Sequence, residues 1–372
     1  MRPAEAGAVA LLALLGATGA AQEPPAPPPP PQAPTFEGTL EVTEASVLVL
    51  PHRDVGAAGL AVHENGERRT VLRVEPLGGP DDPARWQTVI AVDDELCDDE
   101  AARPVLLELA FAAEEIAAHG PVTVLAGGER PPLQVRRGAG RLLAERAASL
   151  SGRPGCRRVG HELLWEARRA MATSRTPAAT AQLFVDRITE LADARASALL
   201  AALPPCEADL CALFLVHSGY PLDPLPWMAA RSAAYASEVD TGRLKATANG
   251  LGSRLSEAGW VVFPASVWRS RSADSLGSFL NIVGKPGTAA LGALAGATGG
   301  QPWLHEGALS QILRQLEAAR LVWYRTEPYA PGEVREIAVT EVGTGDPVPS
   351  RRRVAARPSV AAPEEPHPPR SW

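Results

Sequence analysis

The sequence predicts an α/β fold: a doubly wound, mostly parallel sheet flanked by helices, preceded by a small β-leader. Three observations predict it. Residues 88–94, 122–126, 213–219 and 260–264 are short apolar runs without polar alternation, the pattern of strands buried on both faces. Helical stretches rich in Ala, Leu and Arg separate these runs, as a parallel sheet wrapped by helices requires. Each run ends in a turn, and in such sheets ligands bind beyond the carboxyl ends of the strands. The residues at those ends therefore carry whatever function the chain has.

In chain order, residues 1–21 read as a secretory signal, with Arg2, an apolar core at 8–15 and small residues at 16–21. The core is too short to span a bilayer, and no later stretch reaches about 20 uninterrupted apolar residues. Residues 22–35 form a Pro-rich linker, with five successive prolines at 27–31, and read as an extended spacer. Residues 36–80 are the β-leader: Leu40, Val42, Val47 and Val49 alternate, and Asn65-Gly66 is a hairpin signal before 70–74. Residues 81–343 hold the α/β region. A helix is predicted at 104–118, opened by Pro104 and striped by Leu106, Leu109, Ala110 and Ala113. Further helices are predicted at 142–150, 159–203 with a break at 174–177, 241–258, 289–297 and 306–319. Strands follow at 321–326 and 333–342. Residues 344–372 are Pro- and Arg-rich and read as a disordered tail.

A chain of 372 residues can bury one large core or two small ones. Its formal charge of −7 is mild and dispersed, so it has no basic footprint for nucleic acid. The four cysteines are Cys97, Cys156, Cys206 and Cys211; an even number in an exported chain suggests disulfides, with three pairings open. Cys206–Cys211 and Cys97–Cys156 are favoured, with free buried thiols the main alternative. A zinc site is the rival, but no CxxC pair or closely spaced His accompanies them.

Several pieces in order resemble the von Willebrand factor type A-related proteins of the acidobacterial type, over about residues 36–353. Residues 59–67 followed by 71–74 resemble a leader phrase with its acidic Asn-Gly turn. Residues 88–94 resemble the first central strand with its terminal Asp, and 213–223 resemble a later strand whose end normally reads Ser-Asp-Gly. Residues 294–300 resemble an Ala-x-x-Thr-Gly-Gly turn, and 321–325 the closing strand. The resemblance implies a metal-ion-dependent adhesion site, in which Asp-x-Ser-x-Ser and later loops hold a divalent cation through hard oxygen ligands. This chain departs from that pattern. Asp93 stands at the Asp position, but Glu95 and Cys97 replace the two Ser, and Ser218 replaces the later Asp. The site is accordingly expected to be degenerate, with no bound metal. The acidic residues Asp93, Asp94, Glu95, Asp98, Asp99 and Glu100 read as a solvated loop and a charged helix start.

Other constellations are weak. His217-Ser218-Gly219 follows a buried strand, but a nucleophile elbow needs Gly-x-Ser-x-Gly and here Val216 and Tyr220 flank the centre. Gly284-Lys285-Pro286 lacks the earlier Gly of a phosphate loop, since Phe279 stands there. The seven histidines lack ligand spacing. The expected protein is a periplasmic or secreted, non-enzymatic module without cofactor, binding a protein or envelope component. Candidate binding residues are Asp93, Glu95, Ser218, Trp227 and Trp268, the two tryptophans because they follow strand ends. The alternatives are a diverged serine hydrolase using Ser218 and a metal-dependent adhesin with altered ligands.

Overall fold

The computed structural model describes residues 43–51, 59–77, 86–126, 131–152, 154–156, 159–219, 237–267, 288–330, 333–350 and 353–355. The signal at 1–21, the Pro-rich linker at 22–35, Trp227 and Trp268 lie outside the described residues. Strands β1 (Thr43–Val49), β2 (Leu60–Glu64), β3 (Glu67–Arg69) and β4 (Val71–Pro76) come first. Then follow β5 (Trp86–Val92), α1 (Asp99–Phe111), α2 (Ala113–His119), β6 (Val122–Ala126), β7 (Leu133–Val135), α3 (Gly140–Gly152), α4 (Val159–Thr173) and α5 (Pro177–Ala202). The remainder is β8 (Leu210–Val216), α6 (Gly242–Glu257), β9 (Trp260–Ala265), α7 (Thr288–Thr298), α8 (Ala308–Glu317), β10 (Arg320–Thr326), β11 (Val334–Glu341) and β12 (Arg353–Ala355).

The apolar runs form a five-stranded sheet ordered β7-β6-β5-β8-β9. All neighbours are parallel except the edge strand β7, which runs antiparallel to β6. Counted within the sheet, the order is 3-2-1-4-5, so the connections diverge to opposite sides at β5 and β8. Every residue of β8 and β9 is buried, which explains why neither shows polar alternation. One face, through Ile90, Phe214 and Phe263, packs against α1, α2, α3 and α8. The other, through Val89, Leu213 and Val262, packs against α5, α6 and α7. Burying each such Val, Leu, Ile or Phe contributes about 1.5–3 kcal/mol. On α8, Ala308, Leu309, Ile312, Leu313 and Leu316 make the buried stripe that docks it.

Helix α1 begins five residues before the predicted start at 104. Asp98, not the residue before Pro104, caps it: its carboxylate accepts the Glu100 N–H at 2.8 Å, and Asp99 and Glu100 complement the helix dipole. Pro104 therefore sits inside the helix and forgoes one backbone hydrogen bond. The Thr298-Gly299-Gly300 turn has a packing role. Thr298 Oγ1 accepts the Val262 N–H at 3.0 Å, and a Cβ on Gly300 would lie 2.0 Å from the Val262 carbonyl oxygen. The turn thus seals the outer edge of β9.

Two antiparallel sheets, β1-β10-β4 and β12-β11-β2-β3, pack together through Val47, Val49, Val322 and Tyr324 on one and Val62, Ile337 and Val339 on the other. Strand β10, which the sequence reading counts with the α/β region, lies between the two leader strands β1 and β4. Leu48 and Leu321 on its far side join the main core beside α8. Of the expected tail at 344–372, residues 344–350 and 353–355 are described: Val348 N–H donates to the Val339 carbonyl, and β12 pairs with β11, while the rest lies outside the described residues. The chain from Glu41 onward clusters as one unit.

Candidate functional site

The carboxyl ends of β5, β8 and β9 lie side by side, and the ladder continues one residue past each strand. Asp93 N–H donates to Val216 O at 3.1 Å, His217 N–H to Ala265 O at 3.1 Å, and Ser266 N–H to Trp303 O at 2.9 Å. Asp93, His217 and Ser266 therefore form a row across the rim where the doubly wound sheet divides, the position at which such sheets bind ligands.

Asp93 organises the loop after β5. Its Oδ1 accepts the N–H groups of Glu95 at 3.1 Å and Leu96 at 3.0 Å, and Arg195 Nε donates to the same oxygen at 3.1 Å. Arg195 comes from α5, on the second face of the sheet, and its Nη2 makes an ion pair with Asp94 Oδ1 at 2.7 Å. Both carboxylates are buried, so the guanidinium offsets a desolvation that neither could bear alone. The loop is pinned twice more. Ser218 N–H donates to Leu96 O at 2.7 Å, and the Cys97–Cys156 disulfide ties it to the segment between α3 and α4. Glu95 and Ser218 stay half-buried on top of this frame.

His217 is buried, and its Nδ1 accepts the Gly219 N–H at 2.6 Å. That bond assigns the proton of the neutral ring to Nε2, which faces Asp93 Oδ2 at 3.7 Å. Burial pushes the His217 pKa below its ordinary value and the Arg195 charge adds to this, while Asp93 opposes both. Nδ1 is thus taken up by a backbone N–H and Nε2 is turned toward Asp93. Ser266 is buried too, and its hydroxyl has no hydrogen-bond partner among the described residues.

The divalent-cation site implied by the resemblance does not fit these residues. Asp93 Oδ1 already accepts three donors. The Cys97 sulfur is committed to a disulfide, and a guanidinium bridges the two carboxylates. Among the described residues, no three His, Cys, Asp or Glu side chains gather as a metal cage. The second disulfide, Cys206–Cys211, lies at the opposite end of β8, away from the rim.

The structure thus brings Asp93, Glu95 and Ser218 together, and adds Arg195, His217 and Ser266. Arg195 left no local signal, being one arginine on a long Ala-rich helix. His217 and Ser266 had one, since both directly follow buried apolar runs. Compared with protein-family models, curated proteins and solved structures, the chain matches none, so its own residues carry the functional reading.

Proposed function

We propose that the protein is an exported, non-enzymatic binding module of the von Willebrand factor A-like kind, which engages a protein or envelope component through its strand-end rim without a metal ion. The observation that carries this reading is the fixed loop after β5. Asp93 closes it, Arg195 and the Cys97–Cys156 disulfide hold it, and Glu95 and Ser218 remain partly exposed on it. A rigid rim at a sheet's division point loses little entropy on binding, and contact residues set on such a frame are already positioned. The mostly parallel five-stranded sheet supports the A-like reading. The two disulfides support export, because such bonds persist in oxidising compartments. No described helix is long and apolar enough to cross a membrane.

The test is photo-crosslinking of the full chain in an envelope extract, with the probe placed beside Ser218. A discrete adduct that disappears in Glu95→Arg and in Ser218→Arg is expected. Arg141→Glu, on the exposed face of α3, should keep it. An adduct indifferent to both rim variants would sink the reading.

A further inference from the structure

We propose that Arg195 is the resident cation of the rim: its guanidinium holds Asp93 and Asp94 in the arrangement that a divalent ion would otherwise have to impose. The inference rests on the metal-free reading above and names what makes it possible. Two adjacent carboxylates, both buried, repel one another and need a counter-charge between them. A guanidinium suits this place, since its planar fork presents Nε to one acid and Nη2 to the other. A lysine ammonium is a point charge and cannot span both in the same way. An incoming ion would have to expel the fork and also take an oxygen that two backbone N–H groups already use. Arg195 also joins α5 to the end of β5 across 102 residues of sequence. The same contact therefore supplies charge and fixes a helix of the second face to the rim.

The experiment is thermal unfolding of the full chain in EDTA, in millimolar Mg²⁺ and in millimolar Mn²⁺. It compares wild type, Arg195→Ala, Arg195→Lys and the double variant Arg195→Ala/Asp93→Asn. The wild-type midpoint is expected to be the same in all three solutions. Arg195→Ala should unfold at lower temperature and regain about half of that loss when either ion is added, because an ion that binds only the folded state stabilises it. The double variant should regain nothing, and Arg195→Lys should show little response because its own ammonium partly fills the place.

A wild-type midpoint that rises with the ions and falls in EDTA would overturn the proposal. So would an Arg195→Ala protein that is destabilised yet indifferent to both ions, since the arginine would then be an ordinary structural ion pair. If Arg195→Ala does not fold unaided, refolding yield with and without Mn²⁺ gives the same decision: restored yield supports the inference, unchanged yield overturns it. An ion-indifferent Arg195→Ala protein overturns this inference alone, whereas a wild-type ion response would also end the metal-free reading; the crosslinking result at Glu95 and Ser218 stands in either case.

Discussion

Two buried carboxylates, Glu64 in the antiparallel unit and Asp93 on the rim, meet the same physical problem in different ways. Glu64 Oε1 accepts hydrogen bonds from Tyr324 at 3.3 Å and Tyr329 at 3.1 Å. Its Oε2 accepts from Thr326 at 2.6 Å and from Arg69 Nε at 2.9 Å. Arg335 lies 3.3 Å from the same oxygen and continues to Glu333 and to the carbonyls of Glu327 and Pro328, with its guanidinium over the Tyr329 ring. Two cations and three hydroxyls thus reach one buried acid, while Arg69 also meets Glu67 and Arg335 also meets Glu333. At the rim, Asp93 and Asp94 share the Arg195 guanidinium, and burial pushes the pKa of the neighbouring imidazole below its ordinary value. The Glu64 network is closed and joins β2, β3, β10 and β11, which is what a structural lock needs. The Asp93 network supports the half-exposed side chains of Glu95 and Ser218, which is what a contact face needs.

The largest effect that would break this comparison is expected at Glu64. Glu64→Ala takes the shared acceptor from Arg69, Arg335 and three hydroxyls at once and should cost about 3–5 kcal/mol in urea unfolding. A loss under about 1 kcal/mol would show that Glu64 does not lock the antiparallel unit. Next come the disulfides. Cys97–Cys156 closes a separation of 59 residues and Cys206–Cys211 one of 5. Chain entropy then assigns about 4 kcal/mol to the first and about 2 kcal/mol to the second when each pair is replaced by Ala. The rim-side pair should also raise amide exchange at Glu95 and Leu96, and the other should not. Equal exchange in the two variants would mean that the bond does not hold the loop.

What was legible in the sequence follows from what is local. Strands β5, β8 and β9 could be read because burial on both faces leaves a continuous apolar run. The break between α4 and α5 could be read because Pro177 opens the second helix. The start of α1 was misplaced because Pro104 carries the stronger textual signal, although Asp98 forms the cap. Sheet membership of β10 was not legible, since its partners β1 and β4 lie far away in sequence and any half-buried strand could have filled the gap. At the site, Asp93 was readable as a strand-terminal acid. Its cation was not, because Arg195, one of two arginines on α5, acquires meaning only when the fold brings it to the rim.

The smallest effect separates the two networks by pH. The His217 pKa lies below its ordinary 6.5, foremost through burial. Burial alone would raise the Glu64 pKa, but bonds from Thr326 and Tyr329 and the charges of Arg335 and Arg69 hold it below 4.5. In each case the unfolded chain binds more protons than the folded one inside the window, so stability rises with pH there and falls on acidification. The His217 contribution is complete above 6.5 and is lost as pH drops toward its folded value; the Glu64 contribution persists until pH passes below 4.5. Acid should therefore weaken the protein in two steps, the rim first. Each step has a slope of at most about 1.4 kcal/mol per pH unit. Urea midpoints measured from about pH 7.5 down to about pH 3.5 should lose the upper step in His217→Gln and the lower step in Glu64→Gln. A His217→Gln protein that still weakens between about pH 6.5 and pH 5 would assign that step to another group and remove His217 from the rim's electrostatics.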